Sequence, residues 1–224
     1  MIRPLALILM LLAAPVRAEE PNLSTNPQGT RGSAAQLVLA QRAYTAALAS
    51  GDALPLLTAI RLARGVTLRP ATGWERTTTG DAPADAPPGR AAAPDPASEA
   101  ALTIVRNLAG EDPDLQDLVF DLDAQLPQGR PHIVVEARAD LAPGQTDDWR
   151  LPLFGEVAAE IGMIGDGDGA LQMTVRDEGG NTVCAHPSTT EAVLCQLTPA
   201  RNGFFIVSIT NPGATVNSYR LIGN

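Results

Sequence analysis

Residues 165–224 read GDGDGALQMTVRDEGGNTVCAHPSTTEAVLCQLTPARNGFFIVSITNPGATVNSYRLIGN, and this stretch decides the fold. Leu171, Met173 and Val175 alternate with Gln172, Thr174 and Arg176, the period of a strand with one buried face. Asp177-Glu178-Gly179-Gly180-Asn181 is a turn by composition. Val183, Leu194, Leu197, the Phe205–Ile209 run and Tyr219–Ile222 mark further strands. Working upstream, Ile133, Val135 and Ala137 alternate with Val134, Glu136 and Arg138. Trp149-Arg150-Leu151 and then Val157, Ala159, Ile161 and Met163 continue the pattern. About eight short strands separated by turn signals predict an antiparallel, jelly-roll-like β-sandwich over residues 131–224.

Residues 33–126 carry the helical period instead. Leu37, Ala40, Tyr44, Ala47 and Leu48 recur at three- and four-residue spacing, Gly51 breaks the run, and Asp52 can cap the next. Leu54, Leu57 and Ile60 then continue to Gly65, completing a helical hairpin. A second hairpin begins near Asp95 or Ser98 and runs through Leu102, Val105 and Leu108 to Gly110. Asp112-Pro113 starts its second helix with a capping carboxylate and a proline whose missing N–H costs nothing there. Leu115, Leu118, Val119, Leu122 and Leu126 form its apolar stripe. Between the hairpins, residues 77–96 are rich in Pro, Ala and Asp and predict a flexible linker. The fold class expected is α+β, with N-terminal helical hairpins before a C-terminal antiparallel sandwich.

The first eighteen residues have the make-up of a secretory signal peptide. Arg3 supplies the positive start, Leu5 to Ala14 an apolar run, and Val16-Arg17-Ala18 a cleavage signal after Ala18. Residues 19–32 then read as a flexible N-terminus. Loss of residues 1–18 removes two arginines and no acid, moving the net charge from −9 to −11. Such a balance disfavours nucleic acid as a partner. The apolar run is too short to span a bilayer, so no membrane span is expected. Cys184 and Cys195 are the two cysteines of an exported chain, and a disulfide pinning the connection between two strands is the natural reading. Closing that loop contributes roughly 2–3 kcal/mol. A Cys184–His186 nucleophile or zinc site lacks further ligands.

The C-terminal stretch resembles the bacterial pre-peptidase C-terminal domain, a secreted β-sandwich often attached to exported proteases. The resemblance rests on the strand Leu171–Val175 with its Asp177–Asn181 turn, and on Leu197-Thr198-Pro199 before Gly203-Phe204-Phe205-Ile206-Val207. Asn211-Pro212-Gly213 and Ser218-Tyr219-Arg220-Leu221 complete it. It covers residues 133–224 and implies a non-catalytic accessory, targeting or substrate-binding role. Residues 33–126 resemble no family.

Chemistry is sparse. Gly165-Asp166-Gly167-Asp168-Gly169 places two carboxylates where a hard cation such as Ca²⁺ can be held, though Ala170 and Leu171 depart from an EF-hand loop. An acidic solvated turn is the competing reading. His132 and His186 are the two histidines, and Ser188, Ser208 and Ser218 are their serine partners if a hydrolytic set exists; no G-x-S-x-G elbow supports one. The function expected is therefore an exported, periplasmic or secreted, non-catalytic module that binds a protein or glycan of the cell envelope. The alternatives are a small secreted hydrolase and a calcium-dependent binding domain.

Overall fold

Among the described residues the chain opens with helices, and several of their ends are set by local capping chemistry. A computed structural model describes residues 20–26, 32–89, 93–124 and 132–224. The expected signal peptide with its cleavage site, residues 27–31 and 90–92, Leu126 and Pro131 lie outside the described residues. Helix α1 (Ser33–Ser50) ends at Gly51, whose left-handed backbone (φ 67°) lets its amide return to the Ala47 carbonyl. Helix α2 (Ala53–Arg64) starts at Asp52, whose carboxylate accepts from the Leu54 amide. Helix α3 (Glu99–Ala109) is capped by Ser98 and helix α4 (Pro113–Ala124) by Asp112. Tyr44, Leu56, Leu57 and Ile60 of the first hairpin pack with Leu102, Val105, Val119 and Leu122 of the second in one buried cluster.

Among the described residues ten strands form two sheets: β1 (Thr67–Pro70), β2 (Glu75–Thr79), β3 (Ile133–Leu141), β4 (Thr146–Leu153), β5 (Ala159–Gly165), β6 (Leu171–Arg176), β7 (Thr182–Thr189), β8 (Val193–Leu197), β9 (Gly203–Thr210) and β10 (Asn217–Gly223). One sheet has the order β1-β3-β10-β5-β8 and the other β2-β4-β9-β6-β7. All neighbours are antiparallel except β1 and β3. Leu151, Ile161, Met163, Met173, Phe205, Val207, Ile209 and Leu221 fill the space between the sheets. The fold is thus α+β with a β-sandwich, as the two sequence periods require.

Three local readings differ from the expectation. The segment 33–126 is not helical throughout: it supplies β1 and β2, the edge strands of both sheets. The linker expected over 77–96 begins as strand, with Thr77, Thr78 and Thr79 paired to Asp148, Asp147 and Thr146. Every residue of β2 is exposed, so backbone bonds and polar side chains hold it and no apolar alternation announces it. The N-terminal segment expected to be flexible carries Asn22, which is 1% exposed. Its amide donates to Asp177 Oδ2 (2.8 Å) and its side chain bridges the backbone of Arg201. Burial pushes the Asp177 carboxyl up, but bonds from the Asn22, Asn181 and Gly179 backbone and the Asn181 side chain outweigh it and hold the group below its ordinary value.

Helix α1 lies across the outer face of the first sheet. In an open sandwich β5 would alternate buried and exposed residues; here Ala159 to Ile164 are all buried. Leu37 and Val38 meet Ile164, Ile222 and Val134 in the seam. Contact this close needs Gly162: a Cβ there would stand 2.9 Å from Ile222 Cγ1 and 3.1 Å from Val38 Cγ2. The helix also lacks a cap of its own, since Gly32 has no side chain to offer. Glu160 of β5 takes over, its Oε2 accepting from the Ala34 (3.0 Å) and Ala35 (3.1 Å) amides. A carboxylate at that end satisfies orphan donors and faces the positive end of the helix dipole.

Glu160→Ala is expected to lower unfolding free energy by about 1–3 kcal/mol through the stranded donors, and Gly162→Val by about 1–3 kcal/mol through overpacking. Urea unfolding of both variants checks this. Midpoints equal to the parent's in both would mean that α1 does not depend on the seam.

Candidate functional site

Between α1 and the outer face of the first sheet lies a groove of about 890 Å³. Gln41, Arg42, Thr45, Ala46 and Ala49 form its helical wall, and Arg138, Asp140, Ser218 and Arg220 of β3 and β10 the opposite one. Ile164 contributes to the lining, and residues 190–192 and Asp95 close the margins. Arg42, Thr45 and Ala49 continue the helix face that Val38 presents to the sheet, so the helical wall is the exposed extension of the seam.

The polar groups of the groove are held in place rather than loose. Arg220 is ion-paired to Asp95 and lies 3.4 Å from Gln41 Oε1 and 3.9 Å from Glu136 Oε2. Arg42 Nε donates to the Ala192 carbonyl at 2.7 Å. Asp140 accepts from Ser218 Oγ at 2.7 Å. The walls therefore present both charges at fixed positions around an apolar strip, which suits a polar ligand with some apolar surface. A shallower depression of about 380 Å³ lies on the other sheet, where the Arg150 guanidinium stacks over Phe204, 3.1 Å from the ring centre.

Under the groove, Tyr219 turns its ring into the sandwich and reaches a buried charge. Asp147 is fully buried. Its Oδ2 accepts from Tyr219 Oη (2.5 Å) and Arg76 Nη2 (2.8 Å), and its Oδ1 from Thr78 Oγ1 (2.5 Å). Trp149 Nε1 donates to Tyr219 Oη at 2.7 Å. Burial pushes the Tyr219 phenol far up and the Asp147 carboxylate adds to the rise. Burial alone would lower Arg76, but its bond to Asp147 wins and holds the guanidinium above its ordinary value. A phenol locked in its protonated form is not a base, so this network serves structure. Sequence reading missed Asp147, although it sits two and four residues before Trp149 and Leu151 on the same strand face.

The residues singled out from sequence fall in three places. Asp166 and Asp168 come together beside Asn217, which is fully buried. With its amide nitrogen turned toward them, Asn217 donates to Asp166 Oδ1 (2.9 Å) and Asp168 Oδ1 (3.0 Å). Burial raises the Asp166 carboxyl, the neighbouring Asp168 raises it further, and the Ser218 amide bond opposes both. Cys184 and Cys195 are joined as a disulfide between β7 and β8. His186 Nε2 is bonded to the Leu194 carbonyl (3.0 Å), while His132 lies 3.5 Å from Ser33. Ser208 bonds Asp148 and Ser218 bonds Asp140, so these two of the three serines named are engaged by carboxylates and not by a histidine.

No family model and no curated protein matches the chain. Six solved chains do match it. One is a de novo designed double-stranded β-helix determined by solution NMR, 10% identical, covering 40% of this chain and 97% of that one at a TM-score of 0.27. A score of that size carries no argument.

The two tyrosines give a pH signature. Tyr44 is also raised, by burial and then by Asp95, and its hydroxyl has no hydrogen-bond partner among the described residues. Above their ordinary value of 10.0 the unfolded chain gives up protons that the folded chain keeps. Stability is therefore fully present below pH 10 and falls above it, by up to about 1.4 kcal/mol per pH unit per tyrosine. Phenolate absorbance should stay low in native protein near pH 11 and show two phenolates in denaturant. Two phenolates in the native protein at that pH would contradict the burial of both hydroxyls.

Proposed function

We propose that this chain is an exported, non-catalytic binding or accessory module of the bacterial cell envelope, and that the groove between α1 and β10 receives a protein or glycan ligand. The observation that carries the reading is the groove itself: about 890 Å³, lined by Leu48, Ile164 and several alanines together with arginines and aspartates held by partners. Several features support it. The disulfide fits an oxidising compartment. No described helix is long and apolar enough to cross a membrane. The signal-peptide pattern of residues 1–18 and the resemblance of residues 133–224 to the pre-peptidase C-terminal domain point the same way.

Ala46 is exposed on the helical wall, so Ala46→Trp fills the groove without touching a buried contact. Affinity capture from envelope extract with parent and variant as paired baits is expected to yield a ligand held by the parent and lost by the variant, with equal melting temperatures. A ligand held equally by both would place binding elsewhere. Reproducible hydrolysis abolished by His132→Ala or His186→Ala would overturn the non-catalytic reading.

A calcium-dependent binding domain is the second reading, and one observation favours it. Asp166 and Asp168 converge on one amide, that of Asn217, and an amide turned over by a bound cation would add a third oxygen of the type Ca²⁺ takes. On this reading Ca²⁺ raises the melting temperature, Mg²⁺ does not, and Asp166→Ala with Asp168→Ala abolishes the effect. A melt unmoved by millimolar Ca²⁺ in the parent chain removes it.

A further inference from the structure

We propose that, once the Cys184–Cys195 bond is reduced, the two thiolates and His186 form a three-ligand site for a zinc-class cation. A sulfur from each cysteine and a ring nitrogen of His186 lie within 4.8 Å of one another. Zinc sits about 2.3 Å from thiolate sulfur and about 2.0–2.1 Å from imidazole nitrogen, so ligand atoms in a tetrahedral site stand roughly 3.5–3.8 Å apart. The three side chains are thus already gathered on the scale of a coordination sphere. The sulfurs need only part to non-bonded distance.

The imidazole is prepared for the role. His186 Nε2 is 3.0 Å from the Leu194 carbonyl oxygen, which can only accept, so the proton sits on Nε2 and Nδ1 keeps its lone pair. A backbone carbonyl behind a ligating imidazole fixes its tautomer and raises its basicity. Cys195 is buried while Cys184 and His186 are half-buried, which keeps the cation largely out of water yet reachable. The cluster also stands at the lateral margin of the sandwich, where β7 and β8 are edge strands of different sheets. Cys195 belongs to the buried cluster between the sheets and Cys184 packs against it, so the sulfurs part at the edge of that core. Three protein ligands leave a fourth position for water.

The chemistry balances with a dithiol as reductant. The disulfide takes two electrons and two protons, giving two thiols and the oxidised dithiol. Binding of the cation releases the two thiol protons, and exchange with a disulfide oxidant, which takes the two electrons and leaves as two thiols, re-forms the Cys184–Cys195 bond and expels the cation.

Co²⁺ serves as the probe. The full chain is reduced with a water-soluble phosphine, freed of it without air, and titrated. One equivalent is expected to bring up thiolate-to-cobalt absorption in the near ultraviolet, displaced by Zn²⁺ and absent from the oxidised protein. Zn²⁺ should raise the melting temperature of the reduced form alone. In His186→Ala, whose fold is checked by its melt with the disulfide intact, Zn²⁺ affinity should fall at least about tenfold. Absence of the band, equal Zn²⁺ affinity in His186→Ala, or equal affinity in denaturant would each overturn the proposal. So would a reduced protein that has lost its cooperative melt and does not regain it with Zn²⁺.

Discussion

The close seating of α1 on β5 is the constraint on which the remaining architecture rests. It depends on a missing side chain at Gly162 and a charged one at Glu160, two positions apart on the same face of one strand. The first lets the helix approach; the second satisfies the donors that the approach would otherwise bury without partners. Glu160 also accepts from Gln196 of β8 at 2.8 Å, so one carboxylate ties helix, interior strand and edge strand together. The groove lies where the later turns of α1, with Arg42, Thr45 and Ala49 in place of Leu37 and Val38, face the sheet without filling the space.

A second fixed point lies inside the sandwich. Asp147 occupies a core position, and its charge is tolerated because Arg76, Tyr219 and Thr78 all donate to it. Such a network adds little net stability against an apolar replacement, but loss of one partner costs about 3–5 kcal/mol. Its members come from β2, β4 and β10, so it joins the two sheets and fixes the edge strand that lacks apolar anchors. Every cation in the chain is an arginine, whose fork can serve Asp147 and the Asp140 carbonyl together, as Arg76 does.

Much of this was legible in the sequence, and the residues show why the rest was not. Asp112-Pro113, Ser98 and Gly51 announce helix ends by local chemistry, and each does so in the structure. Leu171–Val175 and Phe205–Ile209 declare strands by alternation, because one face of each is buried. Thr67–Pro70 and Glu75–Thr79 carry no such signal: as edges, they are held by ladders that composition does not encode. Glu160 and Gly162 look like solvent-side residues until a helix from elsewhere in the chain covers them. The groove was invisible for the same reason, as its walls are far apart in sequence and meet only after docking. The GDGDG acids could be read as neighbours, whereas Asn217 could not be joined to them without the fold.

Both lateral margins of the sandwich are laced. On one side β7 and β8, edges of different sheets, are stitched by the disulfide. On the other, β1 and β2 close the two sheets with a strand apiece, joined by four residues, and both precede α3 and α4 in the chain. Sandwiches of this size are commonly thought of as portable cassettes, cut at a linker and moved between proteins. This one has no such seam: a cut before β3 would leave Ile133–Leu141 and Thr146–Leu153 as raw, unpaired margins able to recruit any passing strand. The strands between the two helical hairpins are therefore part of the sandwich's own closure, and a shortened chain would need another cover for both margins.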